Sequence, residues 1–596
     1  MEVNPRLDYR KWYEEALLKV TALKNKSSLL SWLRLFIFLA FIASFISAFV
    51  YNVVLIYPAL MLLAAFICLL VYHEKVNFKI RFHETYSQCL NDELSALEYK
   101  FPFESGNKYI DPEHPYTWDL DIFGKNSIFS SLNRTSTTRG SKKLADNFIN
   151  PSLENETIWK KQEAVRELSG MHQWLLNFRA YGILGTSSEN SEREVIDWAA
   201  AKPYFSSLSF ALLIYLIPVI SLGMTILVVL GGISVNSFIL YMFIPLGISG
   251  MFASRITKRH NQVSRKAAML TNYASRLKMT ETMAFSSPQL INIQNTLGEG
   301  NATASAAIKK LSRIISSMDA RLNWLMWIIL NFLLLWDLRQ MRRLELWQKE
   351  HKQQLNQWFE ASATIEALGS LAGYAILNPL FTYPDPTDKL LAIKAVDAGH
   401  PLIPPDRRID NTIDITGKGT FNIITGANMA GKSTYLRTVG INLVLAMTGA
   451  PVCAAEFSFY PAIPYTSLHT LDSLSTNKSY FFAELERLKL IIDTLNRGLN
   501  IYVFLDEILK GTNSYDKQNG SKALLRQLVT LGASGMIATH DLDLGQLEQS
   551  FPENITNYCF EAVIINNELY FDYKLNQGIA KNMNATFLMK HMGITV

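Results

Sequence analysis

The chain has 596 residues, 18% of them charged, and a formal net charge of +5. That length exceeds one core and predicts two to four domains, while the low charge and a positive mean hydropathy exclude an ordinary, fully soluble composition. The positive excess is too small to argue for nucleic acid by itself. The scattered Cys68, Cys89, Cys453 and Cys559 form no CxxC and no Cys/His cluster, so neither a disulfide framework nor a zinc site is predicted and a reducing compartment fits.

In chain order, the first strong signals are apolar runs. Leu35 to Val50 is followed, after Tyr51 and Asn52, by Val53 to Tyr72; Phe210 to Leu230 is followed, after a turn with Gly231, Gly232 and Ser234, by Phe238 to Phe252. A spanning helix needs about 20 mostly apolar residues, so these read as two transmembrane helical hairpins in a lipid bilayer. Lys24, Lys26 and Arg34 precede the first hairpin and Lys75, Lys79 and Arg81 follow it. Lys202 precedes the second, and Arg255, Lys258 and Arg259 follow. Neither short turn holds Lys or Arg, so the turns are expected outside and the rest in the cytosol, as a multi-pass protein of the plasma or inner membrane.

Trp324 to Trp336 is a fifth apolar run, short for a span and interrupted by Asn331. It is expected as a buried or interfacial helix of the cytosolic part. From Met251 to Thr280 there are seven Lys/Arg and no Asp/Glu. This suits DNA, or more simply a flank attracted to anionic lipid head groups.

The chemistry-bearing residues lie further on. In "FNIITGANMAGKSTYL", a strand-like run from Phe421 to Thr425 leads into Gly426, four residues, then Gly431, Lys432 and Ser433, matching GxxxxGK[ST] ahead of a helix-like stretch. Such glycines let backbone N–H groups face phosphate oxygens. Lys432 places a charge at the β/γ-phosphates of ATP, and the Ser433 hydroxyl can ligand Mg²⁺. The apolar run Ile501 to Leu505 ends in Asp506 and Glu507. Asp506 is expected to hold Mg²⁺, and Glu507 to position or deprotonate the attacking water. A third strand-like run, "GMIATHDLD", ends in Thr539 and His540, where His540 is placed to hydrogen-bond a γ-phosphate.

Together these stretches resemble the ATPase domain of the MutS family. "TGANMAGKSTYLRT" is similar to that family's nucleotide loop, with Ala427 and Ala430 as departures. "STNKSYFFAELERLKLIID" is similar to its S-x-F-x-x-E segment through Ser479, Phe481 and Glu484. "FLDEILKGTNSYD", "IATHDLDL" and "YKLNQG" resemble three further motifs, and "GHPLI" and "EASATIEALGSLAGYA" resemble the approach to the domain. A second resemblance, from Asp119 to Val165, is to the start of the family's helical core. Leu509 and Lys510 stand where Gly-Arg is usual.

The resemblance implies an α/β P-loop NTPase domain at 381–596 and an all-α core or lever domain at 83–204 and 256–380. The hairpins would occupy 1–82 and 205–255. It adds Asn428 and Thr434 to the nucleotide-binding set. It also implies a homodimer in which Ser479 of one subunit completes the other's site in trans. With 118 residues ahead of Asp119, the mismatch-reading domain is expected to be absent, and "FHE" and "FPE" are taken as chance matches to its Phe-x-Glu wedge. The expected function is a membrane-anchored ATPase linked to DNA, with no small-molecule substrate beyond ATP. The alternative is a membrane-remodelling or transport-linked ATPase that binds no nucleic acid, although no LSGGQ-like transporter signature lies between the loop and the acidic strand.

Overall fold

The computed structural model describes residues 5–185, 191–298, 303–468, 480–565 and 568–581. Its first two helices, Pro5–Val50 and Ile56–Ala96, form an antiparallel hairpin. The Asn52 side chain accepts from the Val54 amide and caps the turn between them. At about 1.5 Å per residue each helix runs far beyond its apolar stretch, and residue 82, expected as a domain boundary, lies inside the second helix. Their apolar parts face outward, with Phe49 73% and Met61 76% exposed. A continuous apolar surface of this size marks a contact with lipid or with another protein.

The second hairpin joins Leu208–Val229 to Val235–Val263. Ser234 caps the return helix at the Ser237 amide, and the Ser221 and Tyr241 hydroxyls meet between the helices at 2.9 Å. Residue 255, another expected boundary, again falls within a helix. By length and composition, four helices are long and apolar enough to cross a membrane among the described residues. The fifth apolar run forms the helix Trp324–Leu334 against this hairpin. Buried Asn331 binds Ser249 Oγ at 3.2 Å and the Asp337 amide at 3.0 Å. Trp324, Leu325 and Met326 remain exposed, so this helix is only partly buried.

A helical body gathers around Gln354–Leu377, which packs on Thr138–Ile149 and Asn155–Ser169. Buried charges tie it to the first hairpin. Arg134 forks onto Glu93 at 2.8–3.1 Å, and Arg179 reaches Asp92 at 2.7 Å. Glu93 and Asp92 lie in the last turns of Ile56–Ala96. Gly373 lets Arg134 through, since a Cβ there would sit 2.3 Å from Arg134 Cδ. Deeper in the body, Arg276 pairs with Glu366, which also accepts from Ser136 and Thr137.

The C-terminal region is built on a six-stranded sheet. In spatial order its strands are Glu568–Gln577, Ile555–Ile565, Phe421–Gly426, Ser534–Thr539, Ile501–Asp506 and Ile463–Ser467, all parallel except the first. Side chains alternate between two cores. Tyr502 and Phe504 join the larger core that includes the helix Lys432–Thr448 and the helical body, and Val503 and Leu505 join Leu488 and Leu525 on the other face. With both faces covered, these strands read as continuous apolar runs. A smaller four-stranded sheet contains Asp385–Pro386, Glu456–Phe459, Ile393–Ala398 and Asn411–Ile415.

Candidate active site

Parallel pairing brings three strand ends to one edge. Thr425 is in register with Thr539, and Asp506 with Ala538, so Gly426, His540 and Glu507 emerge side by side at the carboxyl ends of their strands, where open α/β sheets bind ligands. The loop after Gly426 turns on positive φ angles at Gly426, Met429 and Gly431. A Cβ on Gly426 would lie 2.7 Å from the Phe560 carbonyl oxygen, so only glycine fits between these strands. The helix Lys432–Thr448 begins at the end of that turn and directs its free amides toward the cleft.

Lys432 is 5% exposed. Its ammonium donates to the carbonyls of Gly426 at 2.7 Å and Ala427 at 2.9 Å. Burial lowers its pKa, which the Glu507 and Asp506 charges oppose. Burial and the neighbouring Glu507 raise the pKa of Asp506, and the nearby Ser433 hydroxyl opposes the rise. For Glu507 burial alone would favour the neutral acid, but Lys510, His540 and Lys432 together hold it below the usual carboxylate range. Lys510 Nζ lies 3.2 Å and His540 Nδ1 3.5 Å from the Glu507 carboxylate. His540 Nδ1 is buried without a hydrogen bond.

The backbone behind these acids is strained. Glu507 and Leu509 have φ of 49° and 58°, a left-handed region that costs a side-chain-bearing residue about 1–2 kcal/mol. Two contacts hold it. Glu484 Oε1 accepts from the Leu509 amide at 2.6 Å, and Leu509, 7% exposed, lies over Gly520. The replacement of glycine by Leu509 thus falls at a position whose backbone suits glycine, and packing offsets the strain.

The cleft holds about 510 Å³ and is lined by Asn428, Gly431, Lys432, Ser433, Thr434 and Glu507. Its opposite wall includes His400, Arg407 and Tyr573, which were not anticipated as site residues although "GHPLI" and "YKLNQG" contain His400 and Tyr573. Burial and the Arg437 charge push His400 down to about 4, so it is neutral near pH 7. The expected site residues Gly426, Asn428, Gly431, Lys432, Ser433, Thr434, Asp506, Glu507 and His540 are therefore neighbours. Ser479 lies outside the described residues.

The donor set suits a polyphosphate with a hard cation. Backbone amides and an ammonium face one side, and the Ser433 hydroxyl and the nearby Asp506 carboxylate could share an Mg²⁺. The loop helix is also gripped from behind. Leu120 packs on Gly440 and Arg437 bonds Asp121 at 3.0 Å, while a separate helix, Tyr480–Asn496, reaches the same segment through Arg487, which donates to the carbonyls of Glu113, His114 and Pro115.

Fold and site define an α/β domain with a loop of phosphate-cradling shape, set on a helical body. Residues 422–592 match the family model described as MutS domain V. This domain is of the MutS family. The chain is similar to the DNA mismatch repair protein MutS of Thermotoga neapolitana, 30% identical over 236 residues, 39% of this chain and 29% of that one. It is also similar to MutS protein homolog 4 of Homo sapiens, 32% identical over 238 residues, 38% of this chain and 25% of that one. The MutS of Thermotoga maritima is 30% identical over 251 residues, 41% and 31% of the two chains. The chain thus spans only a quarter to a third of the length of these relatives.

Proposed function

We propose that the protein is a membrane-anchored ATPase of MutS type that hydrolyses ATP with Mg²⁺ and acts as a homodimer. The observation that carries this reading is the meeting of Lys432, Ser433, Asp506, Glu507 and His540 at one cleft. Phosphate oxygens can replace the two carbonyls that now hold the Lys432 ammonium. Ser433 and Asp506 would hold Mg²⁺, which supplies charge neutralisation at the phosphates. Glu507, kept ionised by its cationic neighbours, takes the proton of the attacking water. His540 donates to the γ-phosphate from beside it. The segment around Ser479 completes the partner's site. Closure of two such sites would pull on the loop helix, and its contacts with Leu120 and Asp121 would carry that pull into the helical body and its hairpins.

Membrane anchoring rests on four long apolar helices whose side chains face outward and whose turns lack cations. A link to DNA rests on the named relatives, two of them DNA mismatch repair proteins. One observation favours the alternative, an ATPase working on the membrane without nucleic acid. Of the basic stretch after Met251, Arg255 lies over the Tyr204 ring, Arg259 donates to the Lys202 carbonyl, Lys266 pairs with Glu194, and Arg276 with Glu366. These cations are engaged within the chain. A steep salt dependence of duplex binding by the purified protein supports the DNA link, and no binding at low salt removes it.

The ATPase reading is tested on the full chain in detergent. Glu507→Gln should lower phosphate release by roughly 10²–10⁴-fold, the usual worth of a general base, with ATP still bound. Lys432→Ala should weaken nucleotide binding itself. Phosphate release unchanged in Glu507→Gln would refute the role of that carboxylate.

A further inference from the structure

A cleft of about 1,240 Å³ opens between the first hairpin and the helices that follow the second. One wall is the helix Ile56–Ala96. Val71, Lys75, Phe78, Lys79 and Phe82 recur there at spacings of three and four residues and so share a face. The opposite wall carries small side chains, Ser264, Ala267, Ala268 and Thr271. The floor is the contact of Phe82 with Tyr181, ring centroids 4.6 Å apart. Tyr181 belongs to the helix His172–Gly185, which packs on both walls.

Two features specify an occupant. The first is polarity along the wall. Leu70 and Val71 end the apolar run, and Lys75, Lys79 and Arg81 begin the basic one, so the cleft straddles the level where a bilayer's tails meet its head groups. The second is charge. Those three cations face a single lining acid, Glu74, and none of them has an ion pair within 4.0 Å among the described residues.

We infer that this cleft binds one anionic glycerophospholipid, its phosphate held by Lys75, Lys79 and Arg81 and its acyl chains lying along Leu70 and Val71. The site rests on the membrane reading above. A lipid seated there would fill the space between the first hairpin and the helix Ala267–Thr282, so that head-group charge bears on how the hairpins sit relative to each other.

The test uses the full chain in detergent with phosphatidylglycerol or phosphatidylcholine added, and counts retained lipid by native mass spectrometry. The wild type should retain phosphatidylglycerol roughly tenfold better, as attraction of several cations to an anionic head group predicts. The triple change Lys75→Gln, Lys79→Gln and Arg81→Gln should erase the preference. Ala268→Trp, on an exposed position of the opposite wall, should lower occupancy by both lipids. Equal retention of the two lipids by the wild type, a preference untouched by the triple change, or occupancy untouched by Ala268→Trp overturns the site. Displacement by glycerol phosphate as effective as by the lipid reassigns the cations to a soluble anion and also overturns it. A chain that stays monodisperse with detergent removed overturns the membrane reading itself, a different result from equal retention by a chain that needs detergent.

Discussion

Gly373→Ala tests whether the first hairpin is fastened to the body through Arg134. The added Cβ would lie 2.3 Å from Arg134 Cδ and 2.5 Å from Nε, against roughly 3.5 Å for an ordinary contact. The guanidinium would have to move by about 1 Å. Its Nε and Nη2 now hold Glu93 at 2.8–3.1 Å, and its Nη1 donates to the carbonyls of Ser131 and Leu132. Glu93 is 3% exposed. Breaking a buried pair from one side costs about 3–5 kcal/mol, and Arg179, 3.6 Å from Glu93, offsets part of that. A local loss of about 2–4 kcal/mol is expected, which opens the end of the hairpin helix roughly 30- to 1,000-fold more often. Cys89, one turn before Glu93 and fully buried, reports the opening through its rate of modification by a thiol reagent. The refuting result comes from a cycle. In an Arg134→Ala background the clash is gone, so Gly373→Ala should then change Cys89 labelling little. An equal effect in both backgrounds sinks the explanation.

Two further outcomes follow from the site. Glu484→Ala leaves the Leu509 amide without its acceptor, a loss of about 1–3 kcal/mol in a strained loop. ATP should still bind while phosphate release falls roughly tenfold or more; turnover equal to wild type would show that Glu484 does not steady Glu507. His400 has a folded pKa of about 4 against an ordinary 6.5. The unfolded chain takes up that proton first, so stability is lost as pH falls through 6.5 and the loss is complete below about 4, at roughly 1.4 kcal/mol per pH unit in between. His400→Asn should flatten that part of the pH–stability curve, and an unchanged slope between pH 6 and 4.5 would contradict the burial argument.

Most of the candidate site was legible because its signals are local. A glycine-spaced loop before a helix, an apolar strand ending in two acids and apolar runs of spanning length all depend on neighbours within about 20 residues. The residues met on the far wall of the cleft, His400 and Tyr573, were harder to place. One lies about thirty positions before the loop and the other about 140 after it, and only chain folding makes them face it. The fifth apolar run shows the same limit: its composition gave no sign that Asn331 would be its buried anchor, because Ser249 and Asp337 come from other helices.

The sequence alone determined which segments are apolar enough to leave water, which loop can turn toward phosphate, and which acids stand at a strand's end. Those properties belong to side-chain chemistry and spacing. Tertiary structure decided that the strand bearing His540 lies between the loop strand and the acid strand. It also decided that Leu509 is held in a left-handed backbone by Glu484, and that Arg134 passes over Gly373 to reach Glu93. Those are contacts between distant segments, whose geometry exists only once burial has paired them.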